Sequence, residues 1–216
     1  MTRIATAACL LLLLATCPVA LAAQGKSAAA APGAADGASV DTILSALYAS
    51  VSHGPEAEPD WDRLRAITLP VGMFIPPKKP TEDIFTVLDV DAFQERVRKG
   101  AAAMKAKGES TSFYEREVSR HTDCFGNVCQ IFSTYEGRKL ATDEKPFVRG
   151  INSIQLVRDG EPATEGKPPA VGNAGRKAGG IRWWIASVVW DTERADNPIP
   201  ADYQKSGVPP EYLKKN

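Results

Sequence analysis

Two cysteines flank a glycine–asparagine pair in Cys124-Phe125-Gly126-Asn127-Val128-Cys129, and the segments on either side are rich in aromatic and β-branched residues. Gly-Asn suits a two-residue turn of the primed type, which joins antiparallel strands without splaying them. The turn sets the register. Phe125 pairs with Val128, and Cys124 with Cys129 in the next position outward, a narrow pair whose Cα atoms lie within disulfide reach. A disulfide closing so short a loop contributes about 2 kcal/mol in the chain-entropy model. A metal site drawing on His121, Asp123 and both cysteines is the alternative, although Cys-x4-Cys is not a usual zinc spacing. Carried outward, the same register sets His121 opposite Phe132, Val118 opposite Tyr135 and Glu117 opposite Glu136. Like charges directly opposite are unfavourable. A bulge at that point is therefore expected, or an arginine, Arg116 or Arg138, bridging the two carboxylates.

Before the hairpin the pattern is helical. Val40, Ile43, Leu44, Leu47, Tyr48 and Val51 recur at helix spacing behind Ser39 as a cap, and Gly54-Pro55 ends the run. Asp60 caps a short second helix carrying Trp61 and Leu64, stopped by Pro70. Met73–Ile75 reads as a short strand and the proline-rich stretch 76–80 as a loop. Asp89 caps a third helix, with Val90, Phe93, Val97, Ala101 and Met104 on one stripe and Gly108 beyond its end. Strands follow at 112–123, 129–136, 147–158 and 181–192. Helices first and long strands after them predict an α+β domain with an antiparallel sheet.

The chain begins with Arg3, an apolar run through Leu10–Leu14 and the small residues of Ala20-Leu21-Ala22, the layout of a cleaved secretory signal over residues 1–23. Cys17 follows Thr16, which fits a lipidation signal poorly, so no membrane attachment is expected after cleavage. Cleavage removes Cys9 and Cys17 and leaves Cys124 and Cys129 to pair in an oxidising compartment, periplasmic or extracellular. Residues 24–39 hold no apolar side chain larger than alanine and read as a disordered tether. The domain spans 40–203, with a glycine- and proline-rich insertion at 159–180, and 204–216 form a tail. With 26 basic and 26 acidic side chains, the chain shows no basic excess of the kind nucleic-acid binding uses.

Several pieces in order carry a resemblance: Asp60-Trp61-Asp62-Arg63, Phe113-Tyr114-Glu115-Arg116-Glu117, Phe132-Ser133-Thr134-Tyr135-Glu136, Arg149-Gly150-Ile151-Asn152, Arg182-Trp183-Trp184-Ile185 and Asp196-Asn197-Pro198. Over residues 40–203 the chain resembles the nuclear transport factor 2-like superfamily, the fold of ketosteroid-isomerase-like and SnoaL-like domains, and within it the exported bacterial members. The resemblance implies a cone-shaped α+β barrel, a curved antiparallel sheet wrapped around the N-terminal helices with a pocket in the hollow. It also implies a homodimer paired through the outer sheet face. It places the Trp183, Ile185, Ser187, Val189 and Asp191 face of the last strand inward. Ile154 and Leu156 share a face with Asn152 and Gly150, which is expected inward too, leaving Arg149 on the other side.

The superfamily hosts enzymes, binding modules and scaffolds, so the site is argued from residues. Tyr48, Trp61, Asn152, Ser187 and Asp191 are the expected pocket, taking a small apolar ligand with no cofactor and no metal. His53, at a helix end, and His121, near the hairpin tip, are not placed as bases. The leading expectation is therefore binding without catalysis. The alternatives are a cofactor-free lyase or isomerase with Asp191 or Asp62 as base, and a structural or partner-binding module. An Asp-Arg-Asp hydrolase cluster would need Asp62, Arg149 and Asp191 together. The exported protein is expected to begin at Ala23 or Gln24 and to weigh two hydrogens less than its dithiol form. Intact-mass spectrometry checks both, and free thiols would contradict the disulfide.

Overall fold

The computed structural model describes residues 35–78, 82–159 and 182–204. The signal sequence, the tether up to residue 34, the insertion from 160 to 180 and the tail from 205 lie outside the described residues. Three helices and five strands run in the order α1 (Val40–Val51), α2 (Trp61–Ile67), β1 (Thr68–Ile75), α3 (Val90–Ala106), β2 (Tyr114–Phe125), β3 (Val128–Arg138), β4 (Val148–Arg158) and β5 (Trp183–Thr192). Each helix starts at the cap its sequence offers. Ser39 Oγ accepts from Thr42 N, Asp60 from Arg63 N and Asp89 from Ala92 N, each satisfying an otherwise orphaned amide.

The domain is α+β, and its sheet departs from expectation. The strand order is β1-β5-β4-β3-β2, and β1 runs parallel to β5, so the sheet is mixed rather than antiparallel. It is also open, with β1 and β2 at its edges. Hairpin chemistry fixes the direction of neighbours in sequence only. β1 meets β5 across most of the chain, so no local signal announced the pairing. β1 is longer than the Met73–Ile75 stretch, because Thr68 both ends α2 and opens the strand. Pro70 falls inside it and is tolerated because an edge strand has amides that need no ladder partner.

The hairpin register holds at the tip, with Phe125 opposite Val128 and Cys124 opposite Cys129, their Cα atoms 4.1 Å apart and their sulfurs bonded. Gly126 sits at φ +58 and Asn127 does not share the left-handed region, the primed turn that needs glycine only at its first central residue. His121 faces Phe132 as expected. Between Glu117 and Ser119 a bulge ejects Val118, so Glu117 faces Tyr135 and Glu136 faces Arg116. Glu136 also pairs with Arg138 at 2.6 Å. The like-charge clash is thus removed by a bulge and by arginines together.

One face of the sheet carries the core. Ile131, Ile154, Leu156 and Ile185 pack there against Ile43, Leu44, Leu47, Leu64 and Ile67 of α1 and α2. The last residues of the expected tether are tied to this body. Asp36 takes two hydrogen bonds from Arg63 at 2.8 and 2.9 Å, and the Gly37 carbonyl accepts from Trp183 N. A charged side chain that finds a fixed partner orders its segment, which composition alone did not reveal. Replacing both Cys124 and Cys129 by serine is expected to lower stability by about 2 kcal/mol and Tm by roughly 4–8 °C, measured by thermal unfolding with and without reductant.

Candidate functional site

Along the inner face of the sheet the chemistry changes in three steps. Cys129, Ile131, Leu156 and Ile185 form the dry end beneath α1 and α2. A belt of polar side chains follows, Glu117 and Glu115 on β2, Ser133 on β3 and Asn152 on β4, closed from above by Tyr48 of α1. Beyond the belt the space is unfilled: a cavity of about 490 Å³ lies between the sheet and the α3 stripe of Phe93, Val97, Ala101 and Met104. That volume is in the range of small-molecule sites. Its wall is mostly apolar, with Trp61, Phe74, Phe113 and Trp190 adding to the helix stripe.

The belt is one hydrogen-bonded chain. Ser133 Oγ donates to Glu117 Oε1 at 2.5 Å, which leaves the Tyr48 hydroxyl to donate to Ser133 Oγ at 2.6 Å. Asn152 Nδ2 then donates both to Tyr48 Oη at 3.1 Å and to Glu115 Oε1 at 3.2 Å. The same atoms fix the amide orientation, since its nitrogen lies between two acceptors. The Tyr48 phenol is buried, and its pKa is held well above the usual value by loss of water and by the two nearby carboxyls.

The two carboxyls sit in different company. Burial pushes Glu117 up to about 7, with Arg120 pulling it back from 3.4 Å. Arg120, its side chain 6% exposed, reaches on to Asp41 at 2.6 Å. Burial likewise pushes Glu115 up to about 7, and the only side chain that counters it is Asn152. Glu115 Oε2, Asn152 Oδ1 and the Tyr135 hydroxyl accept or donate nothing among the described residues. All three residues stand on the cavity wall. Tyr135 lies across Gly150 on the neighbouring strand, where a Cβ would come within 2.6 Å of its hydroxyl.

Of the five expected pocket residues, Tyr48, Trp61 and Asn152 line the cavity. Ser187 and Asp191 do not. β5 carries a bulge between Ile185 and Ser187, so Trp183 and Ile185 face the core, and beyond it Val188, Trp190 and Thr192 take over that face. One inserted residue turns every later side chain over. Asp191, 50% exposed, accepts instead from Arg194 at 2.8 Å and from Thr192 N. Asp62 is 99% exposed and pairs with Arg65. Arg149 pairs with Glu193 and Glu136, so the structure does not gather Asp62, Arg149 and Asp191. His53, expected at a helix end, is half-buried on the cavity wall with its backbone bridged to Phe113. His121 is exposed near Asp123.

Among the described residues no three His, Cys, Asp or Glu side chains gather to hold a metal ion. No helix there is long and apolar enough to cross a membrane. Compared with known proteins, the chain matches no family model, no curated protein and no solved structure. What the geometry defines is a class: an α+β domain whose sheet and third helix enclose an apolar cavity with one polar end.

The raised carboxyls have a stability consequence. Below about pH 4 the folded and unfolded states both hold these protons. As pH rises toward 7 the unfolded chain releases them first, so folding stability falls across that window and levels off above it. Each group contributes at most about 3 kcal/mol to the fall. Glu115→Gln is expected to remove its own share, giving a flatter dependence of urea midpoint on pH between 5 and 8 and a variant more stable than the parent at pH 8.

Proposed function

We propose that the domain binds a small, largely apolar organic molecule in this cavity, with the polar end of the ligand held by Glu115, Asn152 and Tyr135. The observation that carries the reading is the unfilled space itself. Close-packed interiors leave few voids larger than a water molecule. Here about 490 Å³ stays open beside Glu115, Asn152 and Tyr135, whose Oε2, Oδ1 and hydroxyl have no hydrogen-bond partner among the described residues. The resemblance to the nuclear transport factor 2-like superfamily belongs to the same proposal, since it too anticipates a pocket between helices and sheet. So does export, which the Cys124–Cys129 bond supports. Pairing of two copies across the outer sheet face is also part of it, Val189 being exposed there.

A second reading follows from Glu115 alone. A carboxyl with a pKa near 7 on the wall of a cavity is equipped to take up and return a proton, the role expected of an aspartate in a cofactor-free lyase or isomerase. In this reading Glu115, which lines the cavity, takes the role in place of Asp191 and Asp62, which do not line it.

The binding reading is tested with a neutral apolar dye whose emission rises out of water, such as N-phenyl-1-naphthylamine. Saturable binding is expected, with quenching of tryptophan emission from Trp61 and Trp190. Ala101→Trp, which fills the cavity from α3, is expected to weaken dye binding at least tenfold while leaving Tm within a few degrees. Unchanged binding in a folded Ala101→Trp protein would refute the site.

A further inference from the structure

The two inward carboxyls of β2 make an internal comparison. Glu117 has its cation built in, Arg120 at 3.4 Å, and its Oε1 accepts from Ser133. Glu115, two residues away on the same face, has no lysine, arginine or histidine paired with it among the described residues. Its single side-chain donor among the described residues is Asn152, and the residue stands on the cavity wall. A carboxylate removed from bulk water without a cation is unfavourable unless something supplies one. The chain supplies it for Glu117 and not for Glu115.

The atoms around Glu115 narrow what would supply it. Asn152 Nδ2 is spent on Tyr48 and Glu115, so the amide offers the cavity only its oxygen, an acceptor. An ionised Glu115 also only accepts. The Tyr135 hydroxyl can do either. Two obligate acceptors and one adaptable hydroxyl complement a group rich in N–H donors. Around them stand aromatic rings, with Phe93 edge-on to Trp61 at 5.7 Å and to Trp190 at 5.8 Å, and stacked on Phe74 at 5.0 Å. Aromatic walls beside a carboxylate are the setting in which an organic cation keeps favourable electrostatics while losing water.

Resting on the cavity-binding reading, we propose that the ligand is a hydrophobic amine. Its protonated nitrogen docks on Glu115, Asn152 and Tyr135, and its apolar body lies between the α3 stripe and Trp190. The remaining titratable groups on the wall are Tyr48 from α1, His53 beyond its end, and Lys139 beyond β3. Lys139 is drawn over the Phe147 ring at 4.5 Å. The lining positions of α2, α3, β1 and β5 carry none. Glu117 stands behind Ser133 with its own arginine. Glu115 is thus the group whose ionisation the ligand reads.

The test is calorimetric titration of the purified protein with 3-phenylpropylamine and its neutral isostere 3-phenylpropan-1-ol. The neutral dye serves as a separate measure of cavity binding. At about pH 8 the amine is expected to bind at least about tenfold more tightly than the alcohol. The amine stays charged throughout, so the preference is expected to shrink toward parity by about pH 5.5 as Glu115 takes up its proton. Glu115→Gln is expected to abolish the preference at pH 8, the amine and the alcohol then binding about equally. Equal or tighter binding of the alcohol by the native protein at pH 8 overturns the amine assignment, and so does a preference that survives Glu115→Gln. If dye and both probes fail on the native protein, the cavity-binding reading falls as well. If only the amine preference fails, that reading stands.

Discussion

The Tyr48 hydroxyl joins three parts of the molecule at one point. It lies on α1, hydrogen-bonds Ser133 of β3 at 2.6 Å and accepts from Asn152 of β4 at 3.1 Å. A buried hydroxyl without a partner costs about 1–3 kcal/mol, so these bonds act less by adding stability than by excluding other positions of the helix. Sliding α1 by one turn over the sheet would orphan the Tyr48 hydroxyl and strip Ser133 and Asn152 of one partner each, leaving them Glu117 and Glu115. The apolar contacts of Ile43, Leu44 and Leu47 could reform after such a slip, because dispersion and burial are tolerant of register. The polar belt could not. It holds α1 where it is, and so decides where the filled core ends and the cavity begins.

The belt also explains why the inner face is not uniformly apolar. On β3 the inward sequence runs Cys129, Ile131, Ser133, Tyr135, and on β4 it runs Leu156, Ile154, Asn152, Gly150. Each strand turns from aliphatic to polar at the same level, and β2 meets that level with Glu117 and Glu115. Glycine at 150 then lets Tyr135 lie flat across the neighbouring strand, which a Cβ would prevent. Cross-strand neighbours are the unit of sheet organisation, and here they are matched by chemistry level by level.

What was legible in the sequence were the features controlled by local chemistry. Ser39, Asp60 and Asp89 mark helix starts because an orphaned amide has few other local acceptors. The α3 stripe marks the inward face of that helix through its spacing, with Phe93, Val97, Ala101 and Met104 half-buried on the cavity. The Gly-Asn turn fixes the Cys124–Cys129 pair and the register as far as Ser119. Legibility stopped where one residue is inserted without any local signature. The bulge at Val118 changed the partner of Glu117, and the bulge in β5 moved Ser187 and Asp191 off the cavity face and brought Trp190 onto it. Alternation is a parity argument, and parity does not survive a bulge. Glu115 was within reach. Phe113, Glu115 and Glu117 share one face at spacing two, so an inward Phe113 carries both carboxyls inward with it. The repulsion between Glu117 and Glu136 hides that consequence, and Asp191 of β5 and Asp62 of α2 are the more conspicuous carboxylates in the sequence.

Two features of the site oppose folding. The open space beneath α3 gives up dispersion contacts that aliphatic side chains would make there. Glu115 adds the cost of a carboxyl held away from bulk water, visible in its rise to about 7. Neither serves the core, because replacing Glu115 by a neutral side chain of the same shape would relieve the second without disturbing the belt's other members. Nearby acids have arginines beside them: Arg120 lies 3.4 Å from Glu117, and Arg138 and Arg116 pair with Glu136. An acid without a cation two residues from one that has an arginine beside it, on the same strand and face, is a feature of the cavity wall and not of the core. Structural demands account for the belt as far as Asn152. Past that amide, it is the proposed ligand that would give the arrangement its chemical sense.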